Sequence, residues 1–158
     1  MSISKNRKID RIVFIISVFF MLVFSLSFLV MSPASKLALN EGDNTLLIAT
    51  GIVFWLSLVV AYALFIFVNL RRKQFLKKQN KEKKSAVGLL RFFSNTPAKI
   101  ADISTAVGLL LFLIFSIFTD SYFIYVFLAI TVFAFQMHCV LNGENYLYIN
   151  SKINVRRK

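Results

Sequence analysis

The sequence predicts an all-α membrane protein: four transmembrane helices in two antiparallel hairpins, with both termini cytoplasmic. A short interfacial amphipathic helix is predicted in the cytoplasmic loop. Three observations carry this. Of the 158 residues, 58% are apolar or aromatic, above the roughly 45–50% of soluble domains. Only 16% are charged, yet the net charge is +12, and the charges stand apart from long uncharged runs. Four of those runs reach the about 20 residues that a helix needs to cross a bilayer. With a mean hydropathy of +0.71, the chain is not a soluble domain, a disordered tail or a disulfide-stapled secreted module.

The first span is predicted at 12–31, uncharged throughout, which leaves no coupling carboxylate within it. Its twenty-residue apolar core exceeds the 7–15 residues of a signal-peptide core and reads as an anchor. The second span is 46–70, also uncharged and long enough to tilt. The third, 100–119, carries Asp102 near its start, and the fourth, 122–141, carries Gln136 and His138 near its end. Runs such as Val18-Phe19-Phe20-Met21-Leu22-Val23-Phe24 do not alternate apolar with polar, so spanning strands are a poor alternative. The chain forms one four-helix membrane domain over 1–158, since neither main loop is long enough to enclose a core.

The basic residues set the orientation. Eighteen of the nineteen lie before the first span, between the second and third, or after the fourth; only Lys36 falls on the other side. The loop 71–99 holds ten of them. Arg71, Arg72, Lys73, Lys77, Lys78, Lys81, Lys83, Lys84 and Arg91 are expected to contact anionic lipid headgroups at the cytoplasmic face. Within this loop Ala86, Leu89, Leu90 and Phe93 have i, i+3, i+4, i+7 spacing, which predicts the interfacial helix. Ser94-Asn95-Thr96-Pro97 reads as a helix start with Thr96 as N-cap and Pro97 at the first helical position. The opposite side has the loop Ser32–Thr45 and a tight turn at Asp120 and Ser121.

Ionisable residues inside a membrane are costly and usually have a reason. Asp102 lies 18 residues before Asp120, and His138 lies 17 after Ser121. A tight hairpin brings them to one depth within about 1.5 Å, the helical rise, so the two form a candidate intramembrane polar pair. Thr131, Ala134, His138, Asn142 and Asn145 step by three and four, a candidate polar stripe on the fourth helix. An interfacial hydrogen bond between helices explains the pair more simply than a proton relay or cation site, because both residues lie near helix ends.

No enzyme is expected. One His and one Cys fall short of the three or four ligands of a metal site, and no haem, phosphate-loop or hydrolase motif is present. Cys139 and His138 are sequence neighbours and point about 100° apart on a helix, which excludes a catalytic pair. No cofactor is expected. The lipid bilayer and a membrane-protein partner or second copy are; nucleic acid is not, since basic runs flanking a span are expected for topology alone. The resulting expectation is an accessory or protective membrane protein, with a small oligomeric transporter using Asp102 and the polar stripe as the alternative.

Overall fold

The structure is a computed structural model that describes residues 3–78, 88–118 and 122–150. Among these, regular structure is entirely helical: α1 (Ile3–Glu41), α2 (Thr45–Lys78), α3 (Thr96–Phe118), α4 (Phe123–Leu141) and α5 (Glu144–Asn150). The first four are long and apolar enough to cross a membrane. At 39 residues α1 is about 58 Å long at 1.5 Å per residue, well over the bilayer's hydrocarbon thickness of about 30 Å.

Several boundaries differ from those predicted, each for a local reason. α1 runs through Pro33 to Glu41, so the connection to α2 is only Gly42–Asn44 rather than the loop from Ser32. Gly42, at φ 69°, ends α1 in the left-handed conformation that glycine adopts without a steric cost. The Asp43 carboxylate then accepts the Thr45 amide at 2.8 Å, tying down the start of α2. At its other end α1 takes in Asp10, an acid beyond the predicted span. The loop 71–99 is also shorter than predicted, because α2 continues to Lys78 and α3 begins at Thr96. Asn95, not Thr96, caps α3: its side chain accepts the Ala98 amide at 2.9 Å, and its carbonyl accepts the first helical bond, from Lys99.

The predicted interfacial helix is absent from the residues that can be described. Gly88–Asn95 is turn and irregular chain: Arg91 bonds back to Gly88 in a single turn, while the amides of Gly88, Phe93 and Ser94 bond to Cys139, Asp102 and Asn142 at the ends of α4 and α3. Ala86 and Val87 lie outside the described residues, as do Lys81, Lys83, Lys84, the turn residues Asp120 and Ser121, and the segment 151–158. α5 was not anticipated. Asn142 closes α4, Gly143 breaks the helix, and Glu144 opens the short α5 with an acid in its first turn.

The helices stand in an open row, in the order α2, α1, α4, α3. α1 packs on α2 and on α4, and α4 on α3; among the described residues α2 does not approach α3 or α4, nor α1 α3, within 8 Å between Cα atoms. Ser17 donates to the Ala61 carbonyl at 2.7 Å, and Phe24 packs on Phe54 with ring centroids 4.6 Å apart. The main core joins Phe14 and Met21 of α1, Ala61, Phe65 and Val68 of α2, Val140 of α4 and Ile149 of α5. α5 therefore packs across the ends of α1 and α2, so that one end of the row is tied together by a short helix.

Candidate functional site

The polar residues of α3 and α4 converge at the end of the row that carries segment 88–95. Asp102 is 7% exposed, His138 3% and Asn142 0%. Asp102 Oδ1 lies 2.6 Å from His138 Nδ1, and it also accepts Asn142 Nδ2 at 2.9 Å. Asp102 Oδ2 accepts the Phe93 backbone amide at 2.6 Å. Both carboxylate oxygens are thus engaged. Asn142 spends its other amide hydrogen on the His138 carbonyl and accepts the Ser94 amide on its oxygen at 3.1 Å.

His138 Nε2 faces the Leu89 carbonyl at 3.2 Å. A carbonyl only accepts, and so does an ionised carboxylate. With Asp102 ionised, both ring nitrogens donate, and the pair is an imidazolium–carboxylate with no net charge. The rings of Phe92 and Phe135 flank the imidazole at 4.8 and 6.0 Å, Phe135 nearly parallel to it. Aromatic faces favour a cation in this position. The structure brings Asp102 and His138 together, with a third member, Asn142, that spacing alone had placed only on a stripe.

Around this pair the segment is fastened at several further points. Gly88 donates its amide to the Cys139 carbonyl at 2.9 Å, and Asn95 Nδ2 donates to the Leu141 carbonyl at 2.9 Å. A Cβ at position 88 would overlap the backbone of Asn142, so only glycine fits there. Arg91 reaches Glu144 of α5 at 2.8 Å. Phe93 holds φ 56°, a left-handed conformation unusual for a bulky residue and maintained where the surroundings over-determine it.

The predicted polar stripe does not continue as one face. Thr131 stands over Gly108 of α3 and donates to the Phe127 carbonyl at 2.7 Å. Asn142 belongs to the cluster just described, whereas Asn145 lies on α5, because the break at Gly143 ends the helical period. Asn145 is fully buried, and neither atom of its amide has a hydrogen-bond partner among the described residues.

The basic residues expected at the lipid surface divide into two groups. Arg71 pairs with Asp10 at 2.7 Å, whose other oxygen accepts the Tyr148 hydroxyl at 3.0 Å. Arg72 is buried and donates to Asn69, and Arg91 pairs with Glu144. Arg71 thus joins α2 to α1, Arg72 bonds within its own helix, and Arg91, still exposed, joins segment 88–95 to α5. Lys73 and Lys77 are exposed; the side chain of Lys78 lies outside what is described. Sequence reasoning missed the Asp10 site entirely. Its one signal was an acid among the basic residues before the first span.

A groove of about 580 Å³ lies between α1 and α3 with α4 as its floor. Leu22, Leu26, Ile100, Ile130 and Phe133 line it, with Ser25 and Ser104 as its hydroxyls. Among the described residues no group of three His, Cys, Asp or Glu side chains could hold a metal ion. No family model, curated protein or solved structure matches this chain.

Proposed function

We propose that this chain is a non-enzymatic multi-pass membrane protein, an accessory or protective (immunity-like) subunit that acts by binding another membrane protein or a second copy of itself. It would lie in a bacterial plasma membrane as two antiparallel hairpins with both termini cytoplasmic, needing no cofactor and no nucleic acid. One observation carries this reading: the ionisable side chains inside α3 and α4 are spent on fastening segment 88–95 to the helix ends. A proton relay or ion path needs groups that exchange partners along a route. Here both oxygens of Asp102, both ring nitrogens of His138 and the amide of Asn142 already have internal partners. The large groove is apolar, which suits helix or lipid contact better than passage of a solute.

The alternative, an oligomeric transporter using Asp102, draws on a buried titratable pair within the spans. Purification from the native cell in mild detergent separates the two. A stoichiometric second membrane protein is expected, with no solute flux when the chain alone is placed in liposomes; a homo-oligomer with no partner shifts weight to the transporter. A flux abolished by Asp102→Asn or His138→Ala at unchanged expression would overturn the proposal.

A further inference from the structure

Segment 88–95 turns its largest apolar side chains outward. Leu89 is 51% exposed, Leu90 88%, Phe92 60% and Phe93 54%. The chain that carries them is nonetheless held: its backbone is bonded to Asp102, Asn142, His138 and Cys139, and the Asn95 side chain to the Leu141 carbonyl. Phe93 is kept at positive φ by that bonding. Ion pair, glycine contact and strained residue together present an apolar knuckle in one conformation.

Depth and charge identify what the knuckle meets. Its fastening points are the first turns of α3 and the last turn of α4, where the apolar spans end and hydrocarbon gives way to headgroups. Lys99 is exposed beside it, and Lys73 and Lys77 are exposed on α2, farther along the row. Glu144, the acid facing the segment from α5, is already paired with Arg91. The surroundings are cationic and suit an anionic partner.

We infer that segment 88–95 is a preformed insertion loop. It seats Leu89, Leu90, Phe92 and Phe93 in the interfacial layer of the leaflet at this end, where its flanking cations favour anionic phospholipid. An ordinary interfacial helix gains its apolar face on folding at the surface; this loop is shaped in advance by the α3–α4 end. The placement rests on the membrane reading above, which names the leaflet cytoplasmic. A partner protein plays no part in the test, so the two stand or fall separately.

Leu90→Trp in a Trp55→Phe background leaves a single tryptophan at the most exposed of the four positions. The full chain is placed in vesicles of phosphatidylcholine with or without phosphatidylglycerol. Blue-shifted emission, quenching by lipid carrying bromine high on the acyl chain, and weak quenching by acrylamide are expected, with the lipid quenching strengthened by phosphatidylglycerol. Strong acrylamide quenching without lipid quenching would overturn the insertion and leave the knuckle open to a soluble partner. Equal lipid quenching in both vesicles would overturn the preference for anionic lipid.

Discussion

Tyr122 donates its hydroxyl to the carbonyl of Leu29 at 2.6 Å, the acceptor that Pro33 leaves without its helical partner. Proline has no amide hydrogen, so the carbonyl four residues earlier in α1 loses its i→i−4 bond. Such a group is expensive to leave unpaired in lipid. A tyrosine at the start of α4 supplies the missing donor and ties α4 to α1.

Tyr122→Phe therefore costs about 0.5–1.5 kcal/mol, the range for the net contribution of one intramolecular hydrogen bond. Pro33→Ala restores an amide hydrogen to α1, so the cost of Tyr122→Phe shrinks in that background. A double-mutant cycle on unfolding in mixed micelles measures it; equal costs in both backgrounds would refute the account.

Removing one member of the Asp102–His138 pair strands a buried charge. Asp102→Asn and His138→Ala are each expected to cost about 3–5 kcal/mol, and the double variant less than the sum. Because the chain has one histidine, nitrogen-15 NMR reads it without ambiguity. Both ring nitrogens should carry hydrogens in the folded protein, and a single protonated nitrogen would contradict the imidazolium assignment.

Two glycines separate backbone from side-chain crowding. An added Cβ at Gly88 meets the Asn142 backbone, whereas at Gly108 it meets the Thr131 hydroxyl at 2.7 Å, with the Thr131 backbone at 3.4 Å or beyond. Gly88→Ala displaces segment 88–95 and should raise cysteine labelling at an introduced Leu89→Cys. Gly108→Ala should cost about 1–3 kcal/mol of stability, as overpacking does, without changing that labelling.

Asn145 offers a stabilising change. Its buried amide has no partner among the described residues, and an apolar residue of similar shape avoids that desolvation cost. Asn145→Leu is expected to raise or preserve thermal stability in detergent; a marked loss would show that the amide is engaged in the native protein.

Hydrogen bonds from Thr45, first its backbone amide and then its hydroxyl, hold the Asp43 carboxyl below the ordinary aspartate range. A depressed carboxyl contributes stability above its unfolded value, about 3.9, and loses it as pH falls through the lower folded value. Acid should therefore loosen the first turn of α2, and Asp43→Asn should remove that step. Hydrogen exchange at the amides of 45–47 reads both.

The number and placement of the spanning helices were legible in the sequence, because a stretch of some twenty uncharged apolar residues has few alternatives in or out of a bilayer. The shared depth of Asp102 and His138 was equally legible, since the rise of a helix is constant. Their rotation was not. Which face a helix turns to its neighbour depends on packing, and only the folded row shows Asp102, His138 and Asn142 meeting. Segment 88–95 defeated the periodicity of Ala86, Leu89, Leu90 and Phe93 because spacing cannot weigh helical bonds against bonds offered by distant side chains. The Asn142-Gly143 pair could have signalled the end of α4 and the detachment of Asn145 from its stripe. Asp10 meeting Arg71 and Tyr148, and Tyr122 meeting the carbonyl freed by Pro33, join residues more than sixty positions apart. Local chemistry chose the helices; long-range satisfaction of buried polar groups decided how their ends are joined.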